Sequence, residues 1–212
     1  RLTVAHNPVD PPLDCDKCPR LVEFRKANQA AHPDWFNAPV PAFGPSDCTL
    51  LIVGLAPGLQ GANRTGRPFT GDYAGDLLYP TLIKFGWATG TYGQSPDDGL
   101  KMNNCRITNA VRCVPPQNKP IGAEQKSCRT YLVDEFENLP KLKTILALGR
   151  IGHDAVVTTL DLKKADYPFS HAARHTLPDG RILTDSYHCS RYNLNTRRLT
   201  PDMFETVFKA IT

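Results

Sequence analysis

Short apolar runs that end at turn residues alternate along the chain with segments whose apolar residues recur at helical spacing. Runs of the first kind are typical of buried parallel strands. They predict strands over residues 48–53, 104–109, 144–148 and 181–187. The helical spacing predicts helices over residues 20–31, 76–85, 124–137, 153–160 and 201–210. The alternation predicts an α/β fold, a three-layer α/β/α sandwich with a central four-stranded, mostly parallel sheet.

No linker, repeat or low-complexity tract divides the 212 residues. We therefore predict a single domain over residues 1–212, in which residues 1–47 form a proline-punctuated N-terminal arm. Ligands of parallel sheets bind beyond the carboxyl ends of the strands. The loops after Val53, Asn109, Leu148 and Tyr187 are thus expected to converge on one site.

Charge and hydropathy narrow the class of protein. Lys and Arg total 25 against 21 Asp and Glu, a net charge of +4 that allows a polyanionic partner without requiring one. No apolar run approaches the ~20 residues that cross a bilayer. No secretion signal is recognisable at the start of the chain. We expect a cytoplasmic protein with no membrane partner, and we expect a monomer.

The cysteines suggest a metal site. An odd number, seven, without an export signal argues against a disulfide framework. Cys15 and Cys18 form a C-x2-C pair, whereas Cys113 and Cys128 stand apart, so the second knuckle of a zinc ribbon is missing. Iron–sulfur clusters also take four thiolates. The spacing leaves zinc, iron–sulfur and plain buried thiols open. Three other cysteines are expected to pack in the core or the site wall: Cys48, Cys105 and Cys189.

The loop after the first strand is rich in glycine and proline. It reads GLAPG at 54–58 and NRTGRPFTGD at 63–72, and it lacks the G-K-[ST] of a P-loop. Its backbone can approach a ligand closely. Phe69 offers a stacking face, and Arg64 and Arg67 offer charge for phosphates. The alternative is a plain long turn.

Two residues near strand ends are candidates for chemistry. Asp72 begins the next helix, where an acidic residue is more often a cap than a catalyst. His188 follows the last strand, in the segment HCSRYNLN at 188–195. Polar residues of this segment, with Arg197 and Arg198, could bind phosphates or bases, or could only cap a helix.

Together these patterns resemble those of a known family. GLAPG with NRTGRPFTGD, ITNAVRC at 107–113 and H-x-S-x-x-N at 188–193 resemble, in this order, the uracil-DNA glycosylase superfamily, and most of all family 5, the broad-specificity b-type enzymes. The resemblance spans nearly the whole chain. Many relatives have Asp, Asn or Glu where Ala56 stands, but family 5 generally shares the apolar residue.

The resemblance implies hydrolytic release of uracil, and often of other damaged bases, from DNA. It implies a structural [4Fe–4S] cluster on Cys15, Cys18, Cys113 and Cys128. Contacts with the base are assigned to Gly54, Leu55, Ala56, Gly58, Phe69 and Asn109. Contacts with DNA are assigned to Asn63, Arg64, Ser190, Arg191, Tyr192, Asn193 and Arg197.

The expected reaction begins with flipping of the nucleotide out of the helix. Tyr192 or Leu194 would fill the space in the base stack. Asn109 would read the uracil edge, His188 would donate a hydrogen bond to uracil O2, and Asp72 would orient water or stabilise the sugar cation. Such an enzyme would act on the nucleoid of a prokaryotic cell. Two alternatives stay open, a non-catalytic iron–sulfur DNA-binding module and a family 4 enzyme with stricter preference for uracil.

Overall fold

A central parallel sheet organises the molecule. In the computed structural model, which describes residues 6–211, the strands are β1 (Leu50–Gly54), β2 (Ala88–Thr89), β3 (Lys101–Met102), β4 (Cys105–Asn109), β5 (Thr144–Leu148), β6 (Arg174–Thr176) and β7 (Ile182–Ser186). The α-helices are α1 (Pro19–Ala31), α2 (Ala62–Thr65), α3 (Tyr73–Lys84), α4 (Gly122–Glu137), α5 (Gly149–Thr159), α6 (Arg191–Asn195) and α7 (Pro201–Ile211). Two 3-10 turns lie at Pro116–Asn118 and Lys164–Asp166.

The main sheet has the strand order β4-β1-β5-β7-β6. The first four strands are parallel, and β6 pairs with β7 in the antiparallel direction. The α/β sandwich is confirmed, but the predicted count of four strands is wrong, because the sheet has five. The missed strand, β6, is three residues long, polar and only partly buried, so it has no apolar run. The small hairpin of β2 and β3 was likewise not predicted.

Side chains of β1 alternate between two cores, one on each face of the sheet. Leu50 and Ile52 pack with α3 and α7. Leu51 and Val53 pack with α4 and α5. Every residue of β1 is buried, as expected for a strand covered by helices on both faces. The three predicted layers are therefore present.

The N-terminal arm packs along the β4 edge of the sheet. Phe43 pairs with Ile107 in an antiparallel bridge. Charged groups tie the arm down: the buried Arg112 contacts Asp10 of the arm at 2.7 Å and Glu135 of α4 at 3.4 Å. This packing brings the start of α1 beside the segment that follows β4. Residues 1–5 of the predicted arm lie outside the described residues.

Helix ends follow the capping chemistry of the sequence. Asp72 precedes α3 and accepts the Gly75 backbone N–H at 3.1 Å, and Thr200 caps α7 by accepting the Met203 N–H at 3.2 Å. Helix α5 begins directly after β5, earlier than predicted, because Gly149 adopts a φ of +82° that links strand to helix without a loop. No helix within residues 6–211 is long and apolar enough to span a membrane.

Candidate active site

A narrow slot forms where β1 and β4 end. Gly54 and Asn109 are the paired last residues of these strands. A Cβ atom on Gly54 would lie 2.5 Å from Asn109 Oδ1 and 2.5 Å from Phe69 Cζ. The three residues, distant in sequence, therefore meet at one point. Only a residue without a side chain leaves room there for both neighbours.

Asn109 presents an unpaired polar atom in this slot. The residue is only 4% exposed. Its Oδ1 has no hydrogen-bond partner among the described residues. A buried acceptor without a partner destabilises the fold by roughly 1–3 kcal/mol. Such an atom is typical of a site that gains its partner from a ligand.

Phe69 is held in an unusual backbone conformation. Its φ is +53°, in the left-handed region that side chains other than glycine rarely adopt. The Tyr92 hydroxyl donates to Phe69 O at 3.3 Å and accepts the Gly71 N–H at 3.2 Å. Arg67, predicted to face phosphates, is instead 4% exposed and bonded to Asp98 at 2.9 and 2.8 Å. That part of the prediction is wrong, since Arg67 anchors the loop.

His188 faces the slot from the end of β7. Its ring centroid lies 6.1 Å from that of Phe69. Burial lowers the pKa of His188 to about 4, so the imidazole is neutral at neutral pH and carries one N–H donor. Asn193 Nδ2 donates to His188 O at 2.9 Å, and Ser190 Oγ accepts the Asn193 N–H at 3.2 Å. Ser190 and Asn193 thus fix the loop that carries His188.

A cavity of about 290 Å³ opens beside His188. Its other walls come from the first-strand loop, the start of α5, the segment before β6 and the segment after β7. They include Leu55, Leu148, Phe169, Tyr187 and Arg198. The predicted convergence of loops after β1, β5 and β7 is therefore observed.

Asp72 serves as a helix cap and also faces the first-strand loop. A Cβ atom on Gly61 would lie 2.7 Å from Asp72 Oδ2, and one on Gly58 would lie 3.5 Å away. Burial raises the pKa of Asp72 above its ordinary value. Burial raises the pKa of the Cys189 thiol to about 12, and the Asp72 carboxylate adds to this rise. Asp72 therefore lies near the residue that follows His188.

The loops that carry Phe69 and His188 also bear exposed, mostly basic side chains, which together are called the rim. Four of the residues predicted to contact DNA belong to this set: Arg64, Arg191, Tyr192 and Arg197. Tyr192 is 74% exposed, whereas Leu194 is partly buried and packs against the core. The Arg191 guanidinium lies 5.7 Å from the Tyr73 ring, which connects α6 to the start of α3.

Two predicted contacts have other roles. Asn63 is 1% exposed and its Nδ2 donates to Asn37 Oδ1 at 3.1 Å. The prediction that Asn63 contacts DNA is therefore wrong, since its side chain joins the loop to the N-terminal arm. Ala56 packs its methyl group beside Cys128 and Val111, which leaves only its backbone for a base. Sequence spacing alone cannot distinguish these orientations.

Four cysteines line one cavity, as their spacing suggested. Cys15, Cys18, Cys113 and Cys128 all border it. The Arg112 backbone N–H donates to Cys128 Sγ at 3.4 Å, and Arg25 Nη1 donates to Cys113 Sγ at 3.7 Å. Such donors stabilise thiolates. Cys48, Cys105 and Cys189 are fully buried in the core, as predicted.

Two kinds of metal group take four thiolate ligands. Tetrahedral zinc holds sulfur at about 2.3 Å, which places the sulfurs about 4 Å apart. Within residues 6–211, no group of three or more Cys, His, Asp or Glu side chains is gathered closely enough to hold one metal ion. A four-iron cluster takes one thiolate on each iron and needs a wider ring of ligands. Four thiols around one cavity are a ligand set that either group can use.

Comparison with known proteins identifies the family. The family model described as the uracil DNA glycosylase superfamily matches residues 41–212. The chain belongs to the uracil-DNA glycosylase superfamily. All the slot and rim residues of this superfamily member lie inside the matched range, whereas Cys15 and Cys18 precede it.

Curated relatives match a larger share of the chain than the family model does. This superfamily member is 43% identical to the type-5 uracil-DNA glycosylase of Thermus thermophilus, over 90% of the chain and 89% of the relative. It is 39% identical to the type-5 enzyme of Mycobacterium leprae, over 92% and 89%. It is 35% identical to a type-4 uracil-DNA glycosylase of Pyrobaculum aerophilum, over only 68% and 60%.

Proposed function

We propose that this superfamily member is a DNA-repair glycosylase that removes uracil from DNA and leaves an abasic site. The meeting of Gly54, Phe69, Asn109 and His188 in one slot supports the proposal. The relatives named type-5 uracil-DNA glycosylases support it independently. A non-catalytic DNA-binding module, the alternative, would not require these four residues to meet in one pocket.

Recognition of the base depends on Asn109 and Phe69. The nucleotide is flipped out of the duplex, at a cost of a few kcal/mol, because its glycosidic bond is unreachable in the stack. Phe69 stacks on the extruded ring. Asn109 Oδ1 accepts from uracil N3–H while its Nδ2 donates to O4. Uracil therefore supplies the partner that Oδ1 lacks in the free protein.

The bond between C1′ and uracil N1 breaks with its electron pair going to the base. Negative charge then develops on uracil O2, and the His188 N–H donates a hydrogen bond to it. Because burial lowers the pKa of His188 to about 4, the donor is a neutral imidazole that keeps its proton. Water adds to C1′ and releases a proton to solvent, and the departing uracil anion takes up a proton from solvent.

Asp72 is the group that orients this water or stabilises the positive charge on the sugar. Ala56 has no polar atom in its side chain for that task. The Asp72 carboxylate is held in place by its bond to the Gly75 N–H. The carboxylate is partly buried and so lies out of bulk water. Its charge is therefore screened less than it would be in solvent.

Basic residues on the rim bind the distorted DNA backbone. Arg64, Arg191 and Arg197 are exposed and can reach phosphates without breaking a buried ion pair. Tyr192 enters the stack from which the nucleotide was flipped. Backbone contacts of this kind position the duplex and carry no sequence information.

Cys15, Cys18, Cys113 and Cys128 hold a [4Fe–4S] cluster in this proposal. The cluster supplies a structural tie and no step of the reaction. The arm contributes two of the ligands, and Cys113 follows β4, which carries Asn109. Ligation therefore holds the arm against the strand that reads the base.

Excision of uracil from a labelled oligonucleotide tests the proposal. We expect alkali-labile strand scission at a single uracil, with hypoxanthine and ethenocytosine substrates measured beside it to define the range of bases. Asn109→Ala is expected to lose most of this activity. Binding of uracil-containing DNA without scission, with iron present, would instead identify a non-catalytic module. Activity restricted to uracil would favour the type-4 pattern of specificity.

A further inference from the structure

Two consecutive backbone carbonyls before Phe169 are each bound by a histidine ring. His153 Nε2 contacts Tyr167 O at 2.6 Å. His175 Nε2 contacts Pro168 O at 3.0 Å. A carbonyl only accepts, so each of these nitrogens carries its proton and donates. The segment that ends in Phe169 is thus held at two adjacent points.

Both histidines converge on one buried carboxylate. His153 Nδ1 lies 2.6 Å from Asp185 Oδ1, and His175 Nε2 lies 3.7 Å from Asp185 Oδ2. Asp185 is fully buried in β7, and its Oδ2 has no hydrogen-bond partner within the described part of the chain. A buried carboxylate without its cationic or donor partners is strongly destabilising. The arrangement therefore depends on both rings staying in place.

The electrostatics agree with this geometry. Burial by itself lowers the pKa of His153, but the Asp185 carboxylate and the Tyr167 carbonyl outweigh it and raise the pKa above its ordinary value. Asp154 also faces His153 and acts in the same direction. Asp185 and Tyr167 are also the two hydrogen-bond partners of the ring, so the direction of the pKa shift agrees with the contacts.

Phe169 is the side chain that this arrangement holds beside the functional site. It lines the cavity beside His188. Its ring packs edge-on against His153 at 5.5 Å and lies 6.2 Å from Tyr187. Its immediate neighbours Pro168 and Ser170 are exposed, so the core contributes little to holding this short stretch.

We propose that His153, Asp185 and His175 are positioning residues that hold Phe169 as a wall of the cavity beside His188, and so set how tightly the extruded nucleotide is bound. The inference rests on the proposed glycosylase function. It assigns a role to two buried residues, His153 and Asp185, and to the partly buried His175. The wall contacts the nucleotide before and during bond cleavage alike, so its loss weakens binding without slowing the chemical step.

A double-mutant cycle tests this role. Phe169→Ala removes the wall and is expected to raise KM for uracil-containing duplex about tenfold, with kcat within about twofold of wild type. His153→Leu removes both bonds of the ring and is expected to give a similar rise. The double variant is expected to be no worse than either single variant, because both changes remove the same wall.

Hydrogen exchange supplies a readout that does not depend on activity. In His153→Leu, peptides covering residues 167–175 are expected to exchange faster, while those covering α7 keep their wild-type protection. Asp185→Asn is the conservative variant, since its amide can donate to Nδ1 of a neutral His153 whose Nε2–H still binds Tyr167. We expect it to keep protection of residues 167–175 and KM near wild type.

The outcomes separate this inference from the proposed function. Additive effects of Phe169→Ala and His153→Leu on KM would overturn it, as would unchanged KM in Phe169→Ala. Unchanged exchange of residues 167–175 in His153→Leu would also overturn it. If His153→Leu fails to fold, His153→Gln, which retains one donor, takes its place in the cycle. Failure of the glycosylase proposal shows separately, as absence of excision by the wild-type protein.

Discussion

The rings of Phe69 and His188 lie 6.1 Å apart, centroid to centroid, at the ends of two different loops. Phe69 reaches this position through a left-handed backbone conformation that Tyr92 holds in place. His188 reaches it from the end of β7 through a loop that Asn193 fixes. Each ring is positioned by its own set of hydrogen bonds before any substrate arrives. A planar base can therefore enter a site that needs little reorganisation.

Replacement of Gly54 by alanine tests the slot directly. The new methyl carbon would lie 2.5 Å from both Asn109 Oδ1 and Phe69 Cζ, so one of these side chains must move. We expect kcat/KM for uracil excision to fall by at least about tenfold. Gly122→Ala is the matched control, because its Cβ meets nothing within 4 Å at the start of α4. Equal activities of the two variants would show that the slot does not hold the base.

Asp72 can be tested so that its cap and its charge are separated. Asn caps helices about as well as Asp does, whereas Ala leaves the first turn without an acceptor. Asp72→Asn is therefore expected to keep the wild-type Tm, and Asp72→Ala to lower it. Both variants are expected to reduce single-turnover cleavage by about tenfold or more while DNA binding persists. Wild-type cleavage by Asp72→Asn would remove the carboxylate from the reaction.

The lowered pKa of His188 predicts the direction in which stability changes with pH. Its pKa in the folded protein is about 4, below the ordinary value of about 6.5. Between these values the unfolded chain binds a proton that the folded protein excludes, so stability falls as pH drops through this window. Denaturant unfolding is expected to show a smaller pH dependence there for His188→Gln. The cleavage rate of the wild type is expected to show no titration of His188 between about pH 6 and pH 8.

Most of the sheet could be predicted because its strands are buried on both faces. Such strands are continuous apolar runs, and the predicted run 144–148 coincides with β5. The edge strand β6 has no such run, because Arg174 and Thr176 face solvent. This segment is extended because it pairs with β7, a contact that its own residues do not predict. Short helices such as α6 were predicted as loops, since five residues show no helical period.

The site was predictable where the backbone alone places a residue. Strand ends fix Gly54 and Asn109, so their meeting followed from the parallel sheet. The direction of a loop side chain depends on long-range partners, which periodicity does not reveal. Arg67 turns inward to Asp98 and Asn63 turns inward to Asn37 for this reason. A histidine inside an amphipathic helix, such as His153, likewise gave no signal of its acidic partner.

Tyr192 is expected to matter for duplex DNA more than for single strands. The ring is 74% exposed and can fill the gap that a flipped nucleotide leaves in a stack. A single strand has no opposing stack to keep open. We expect Tyr192→Ala to lower single-turnover cleavage of duplex substrate about tenfold and of single-stranded substrate much less. Tyr192→Phe serves as the control, since it keeps the ring. An equal loss on both substrates would contradict the role as a wedge.

The cysteine cavity predicts a coloured protein. Four thiolates of a [4Fe–4S] cluster give broad visible absorbance, whereas zinc gives none, and iron analysis distinguishes the two. Cys113→Ala removes one ligand of the proposed set, so we expect the protein to lose most of its iron and its visible absorbance. We also expect a lower Tm, because the arm is no longer tied to the segment after β4. Cys48→Ala is the matched control, a fully buried cysteine outside this cavity, and is expected to keep its iron. Stoichiometric zinc in the wild-type protein, or full iron content in Cys113→Ala, would contradict the assignment.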